Sequence, residues 1–184
     1  MSNKSRVRLT VAAAFLAGSM AASGSVFAAV SPPASFQVTA NVTANCSITA
    51  TGLGFGSYDP IGTNATAPLN GTSTVTVTCS KGAATLTIGL NDGLYVAGSQ
   101  RQLRGPSATD NLAYNLFQPP TSVPGVACTF PAAKAWTNAT TGLLAIDNAP
   151  SKVARTYNVC GTVPGGQDAV TGAYTDTVNA IINF

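Results

Sequence analysis

Ser35-Phe36-Gln37-Val38-Thr39-Ala40-Asn41-Val42-Thr43-Ala44-Asn45-Cys46 alternates without a break. Phe36, Val38, Ala40, Val42, Ala44 and Cys46 fall on one side; Gln37, Thr39, Asn41, Thr43 and Asn45 fall on the other. Side chains of a strand alternate between its two faces, so the pattern predicts a strand with one buried face. The stripe follows a loose lead, Ser31-Pro32-Pro33-Ala34, at a place where most domains have a poorly ordered tail. A patterned strand on such a leash can pair with its own domain or with another chain. That choice decides what the protein does.

What precedes the stripe reads as an export signal. Lys4, Arg6 and Arg8 form a basic start, Leu9 to Ala17 is apolar, and Val26-Phe27-Ala28 places compact residues at a cleavage site. An apolar run this short does not span a bilayer. Residues 1–28 are therefore expected to be removed. Three of the nine Lys and Arg residues go with them, leaving six bases against six acids, all aspartate. A mature chain of near-zero net charge has no long-range attraction for nucleic acid or anionic lipid, and its sparse charge permits close self-association. Residues 29–184 suffice for one domain with a real core.

Cys46, Cys79, Cys128 and Cys160 make an even count in an exported chain, which predicts two disulfides and an oxidising compartment. Three connectivities exist; the sequential one, Cys46–Cys79 and Cys128–Cys160, is preferred. There is no CxxC spacing and no His, so neither a metal site nor a cofactor is expected.

Thr, Val, Ala, Gly and Asn dominate the mature chain, which favours strands over helices. Strands are expected over Thr72–Cys79, Ala84–Leu90, Leu112–Phe117, Val153–Val163 and, at the end, Ala173–Phe184. Turn signals such as Asn70-Gly71, Asn91-Asp92-Gly93 and Pro164-Gly165-Gly166 separate them. The spacing predicts an antiparallel β-sandwich. Gln118 to Gly142 reads as a long loop or a weak strand pair, tied by Cys128 and packed by Phe130 and Trp136. The last expected strand runs to Phe184 with nothing after it to cover its edge. Exposed edges are templates for pairing, so the uncovered edge and the spare stripe read as two halves of one intermolecular joint.

Catalysis has little support. Without His the usual general base is missing, and the aspartates fall on segments such as Asp59-Pro60 that read as turns. Arg101 and Arg104 are expected on a solvated strand face. Trp136 is expected in the core rather than on a sugar.

Cys46-Ser47-Ile48, Leu53-Gly54-Phe55-Gly56-Ser57-Tyr58-Asp59-Pro60, and Gly71 through Val75-Thr76-Val77-Thr78-Cys79 resemble the spore coat protein U domain. So does the ending Gly172-Ala173-Tyr174-Thr175-Asp176-Thr177-Val178 with Ile182-Asn183-Phe184. The family includes subunits of archaic, Csu-type chaperone–usher pili. The resemblance implies an all-β fold, an incomplete immunoglobulin-like β-sandwich completed by an N-terminal donor strand from a neighbouring subunit. It implies a division into a signal peptide (1–28), an N-terminal extension carrying the donor strand (29–45) and a pilin domain (46–184). Phe36, Val38, Ala40 and Val42 match the family's donor positions, and Cys46 with Cys79 matches its first disulfide. The implied partners are neighbouring pilins, a periplasmic chaperone and an outer-membrane usher, and the implied destination is a pilus on the cell surface, serving attachment and biofilm formation. Two rivals are a protective spore or cell-surface coat protein and a secreted sugar-binding module.

Overall fold

The computed structural model describes residues 29–184; the signal expected over 1–28 lies outside the described residues. The chain divides into two compact units, Met1–Ala40 and Asn41–Phe184. In the first, residues 29–40 are exposed and form no strand. Residues 41–45 of the second are likewise exposed and outside any strand. The strand expected over 35–46 therefore does not form there. A lone strand has no ladder to hold it, and two or more partners are needed for stability.

The second unit is all-β, with nine strands: β1 (Cys46–Ala50), β2 (Leu69–Cys79), β3 (Thr87–Leu90), β4 (Val96–Ala97), β5 (Gln100–Arg104), β6 (Asn111–Phe117), β7 (Leu144–Ala145), β8 (Arg155–Val163) and β9 (Ala180–Asn183). One sheet has the order β1-β2-β8-β6-β5-β4 and the other β7-β3-β9, and every pairing is antiparallel. β2 and β8 form the spine, paired from Leu69↔Val163 to Val77↔Arg155. Their alternate residues Val75, Val77, Tyr157, Val159 and Val163 point inward and meet Leu86, Ile88 and Leu90 from the β3 side in one core. Trp136 is wholly buried, with its indole N–H donating 2.8 Å to the Ile88 carbonyl. A buried indole needs such an acceptor.

The expected strand over Ala84–Leu90 starts only at Thr87, because Thr85 takes a positive φ of 56°. Val153–Val163 starts at Arg155, and Val153 is exposed. β4 and β7, two residues each, carry no sequence pattern. The expected final strand shrinks from Ala173–Phe184 to Ala180–Asn183. The cause is a change of partner: Thr175 bridges to Arg104 of β5 in the first sheet, whereas Ala180–Asn183 pairs with β3 in the second. A segment that crosses between sheets cannot hold one ladder throughout. Gln118 to Gly142 is mostly a loop, touching β6 through a bridge between Phe117 and Ala135 and ending in a 3-10 turn at Thr140–Gly142.

Candidate functional site

Cys46 and Cys79 stand directly opposite each other on β1 and β2, with Cα atoms 4.1 Å apart, and are bonded. Cys128 and Cys160 are bonded across 5.6 Å and pin the 118–135 loop to β8. No cysteine is free. Cross-links closing loops of this size restrict the unfolded chain by about 3–4 kcal/mol each in the entropic account.

The first bridge sits at one side of an open margin. Among the described residues β1 pairs only with β2, and β9 only with β3. Asn45 and Thr51 direct main-chain groups toward β2, through Ser80 N–H to Asn45 C=O and Thr51 N–H to Thr74 C=O. By the alternation of an antiparallel ladder, the groups of Cys46, Ile48 and Ala50 face the other way. On β9's side, Asn91 N–H donates 3.0 Å to Asn179 C=O, and Asn179 N–H donates 2.8 Å to Asn91 Oδ1. The groups of Val178, Ala180 and Ile182 therefore face away from β3. Their side chains are half-buried on the core while Ile181 is exposed. Two strand edges with apolar inner faces thus border one groove.

Two cavities lie along this groove. One of about 260 Å³ runs between Ala50–Phe55 and Asp176–Ala180 over Tyr114, Leu116 and Val159. One of about 600 Å³ runs between Leu53–Tyr58 and Ala169–Tyr174 over Leu112 and Val163. Leu53, Phe55 and Leu103 line both.

The free wall is held by one carboxylate. Asp176 accepts from Tyr114 O–H at 2.6 Å, Leu94 N–H at 2.8 Å, Thr177 N–H at 2.7 Å and Tyr95 N–H at 3.3 Å. Burial, then the hydrogen bond to Asp176, pushes the Tyr114 hydroxyl well above its ordinary range. Asp176 is thus no turn former, unlike Asp59, which accepts from Ile61 and Gly62 N–H within its own turn. Arg101 is also a correction: it is 5% exposed, not solvated. Its guanidinium donates to the carbonyls of Leu90, Asn91 and Trp136 at 2.7–3.0 Å, with Asp92 3.9 Å away. Desolvation lowers its pKa, opposed by Tyr114 and the two aspartates. Arg101 closes the far side of the same wall by satisfying carbonyls where β3 ends.

The stripe residues Phe36, Val38 and Val42 are 86%, 81% and 85% exposed, and Ala40 is exposed too. Among the described residues no cluster of His, Cys, Asp or Glu could hold a metal ion, and no helix is long and apolar enough to cross a membrane. Neither Asp176 nor Arg101 was singled out as part of the site from sequence. The signal for Asp176 was an acid inside an otherwise Tyr-Thr-Thr-Val strand pattern.

The site is thus an apolar groove between unpaired edges of an all-β domain whose two loops are closed by disulfides. Residues 33–181 match the Spore Coat Protein U domain, and the chain belongs to that family. It is 35% identical to Protein U of Myxococcus xanthus over 191 residues, covering 97% of this chain and 98% of that protein. It is also similar to a chain in the crystal structure of the CsuC–CsuE chaperone–tip adhesion subunit pre-assembly complex from the archaic chaperone–usher Csu pili of Acinetobacter baumannii. That likeness has a TM-score of 0.49 and 23% identity, and covers 78% of this chain and 40% of that one.

Proposed function

We propose that this protein is a structural subunit of an archaic chaperone–usher pilus, polymerising by donor-strand exchange. The observation that carries this is the pairing of opposites in one chain. An exposed, strictly alternating stripe at 36–42 accompanies an apolar groove bordered by unpaired edges of β1 and β9. Strand addition supplies main-chain hydrogen bonds for affinity and pockets for alternate side chains. Burying Phe36, Val38 and Val42 offers about 1.5–3 kcal/mol each before ordering costs. Residues 1–28 act as the cleaved signal, 29–45 as the extension with donor positions Phe36, Val38, Ala40 and Val42, and 46–184 as the acceptor domain. A periplasmic chaperone covers the groove until an outer-membrane usher passes the subunit to its neighbour. The finished fibre stands on the cell surface, where it serves attachment and biofilm formation.

The test is deletion of Ala29–Ala44 with the signal kept, in cells that also express the chaperone and usher. The truncated subunit is expected to co-purify with the chaperone and to give no fibres by electron microscopy. Persistent long fibres would overturn strand exchange. A second reading, a protective surface coat, is favoured by the family's description as a Spore Coat Protein U domain, matched over residues 33–181. It predicts surface assembly that needs neither chaperone nor usher.

A further inference from the structure

We infer that Leu53 and Phe55 form a ridge across the acceptor groove that selects a small residue at the middle of the incoming strand, the position Ala40 takes. This rests on the strand-exchange reading above and adds the determinant of specificity.

The ridge begins in the spine of the six-stranded sheet. Gly71 of β2 and Gly161 of β8 are direct cross-strand partners. They share the inward parity of Ser73 and Val75 on one strand and of Val159 and Val163 on the other. Two opposed glycines leave a notch in an otherwise side-chain-covered face, and glycine inside a strand marks close approach by another group. Here the groups are Leu53 and Phe55. A Cβ at Gly161 would stand 2.8 Å from Leu53 Cδ1 and 2.9 Å from Phe55 Cε1; one at Gly71 would stand 3.0 Å from Phe55 Cδ1 and 3.2 Å from Leu53 Cδ2. Both side chains are seated as low as the backbone permits. The Phe55 ring is held on another side by the Tyr114 ring, edge-on at 6.1 Å.

The same two residues, with Leu103, line both cavities and so stand between them. The groove is therefore two pockets with a raised middle. Alternate residues of a strand are about 6.8 Å apart, so Val38 and Val42 lie about 14 Å apart with residue 40 between them. A strand that seats Val38 and Val42 in the two cavities carries residue 40 over the ridge. The placement is symmetric about Ala40, so it holds for either direction of the strand. A leucine at 40 would press its isobutyl group onto side chains that have no room to sink.

The test uses the full exported chain and measures the fraction of subunit in detergent- and heat-resistant multimers. Ala40→Leu is compared with Val38→Leu; both positions are exposed, so neither change touches the fold of the domain that carries it. Overpacking at the ridge is expected to lower multimer yield about tenfold for Ala40→Leu. Val38→Leu, entering a cavity, is expected to stay within about twofold of the parent. Ala40→Gly should assemble as the parent does. Lowering the ridge with Leu53→Ala or Phe55→Ala should restore assembly to the Ala40→Leu chain. If a ridge variant fails to fold, the comparison of positions 38 and 40 decides alone. Equal yields for Ala40→Leu and Val38→Leu overturn the ridge. Unimpaired assembly of Val38→Asp overturns strand exchange itself, which separates the two failures.

Discussion

Phe36–Val42 and Ser73–Cys79 are written in the same way and end in opposite conditions. The first alternates apolar residues with Gln37, Thr39 and Asn41, the second Val75, Val77 and Cys79 with threonines. In β2 the alternation yields buried Val75, Val77 and Cys79, because β1 and β8 pair with it on either side. In the stripe the same alternation leaves Phe36, Val38 and Val42 open to water. The period states which residues can share a face. Neighbouring strands decide whether that face is buried.

The largest expected effect breaks this comparison directly. An aspartate at Val77 would bury an unpaired charge among apolar side chains, which costs several kcal/mol. A domain with a total stability of about 5–15 kcal/mol does not keep a cooperative melt after that loss. Val38→Asp, in the exposed stripe, should leave the melting of the domain within about 0.5 kcal/mol of the parent while abolishing assembly. Thermal unfolding followed by near-ultraviolet circular dichroism checks both. Similar losses in the two variants would mean that the stripe is already packed on its own domain.

A middle-sized effect compares the two bridges. Replacing either cysteine pair with alanine should cost about 3–4 kcal/mol, since their sequence separations are 33 and 32. Their local consequences should differ. Cys46 and Cys79 lie in a strand pair that also has a ladder to hold it. Cys128 anchors a loop that otherwise meets the spine through few main-chain bonds, such as Gly125 N–H to Thr156 C=O. Loss of Cys128–Cys160 should therefore expose Lys134 to trypsin well before the domain unfolds. Cleavage at Lys81 first, in both variants, would show that the loop does not depend on its bridge.

How much of this was legible in sequence follows from the same contrast. β2 and β6 could be read because each carries a period of two over a buried face, and β8 because Tyr157, Val159 and Val163 keep that period on either side of Cys160 and Gly161. The edge was harder. Ala173–Phe184 alternates well, yet it changes sheets at Asp176, and alternation is blind to which sheet a strand joins. Arg101 reads as surface because arginine usually is. Here the carbonyls of Leu90, Asn91 and Trp136 need a donor that only the folded chain brings to them. Leu53 and Phe55 were visible as a motif but not as a ridge. Their role depends on Gly71 and Gly161 being opposite each other, and register across strands far apart in sequence is not written in either strand alone.

The smallest expected effect separates how the spine and the margin are held. β2 and β8 are joined by main-chain bonds that do not titrate, whereas the wall of the groove hangs on Asp176 and its partners. Asp176→Ala should cost about 1–3 kcal/mol by stranding the Tyr114 hydroxyl and the amides of Leu94, Tyr95 and Thr177. Tyr114 adds a dependence on pH. Its hydroxyl ionises near 10.0 when unfolded and is held protonated to higher pH in the folded chain, first by burial and then by its bond to Asp176. The folded state thus binds the proton more tightly. The stabilisation is complete below pH 10 and is lost progressively as the pH rises beyond it. Tyr114→Phe removes the group, so the variant should be less stable at neutral pH and should decline less steeply in alkali. Tyr157 is raised by burial in the same direction, but it is present in both chains and cancels in the difference. Melting temperatures taken from about pH 8 to about pH 11 should therefore converge. Parallel curves would show that Tyr114 and Asp176 do not share their proton bond, and that the wall of the groove is held, like the spine, by its main chain.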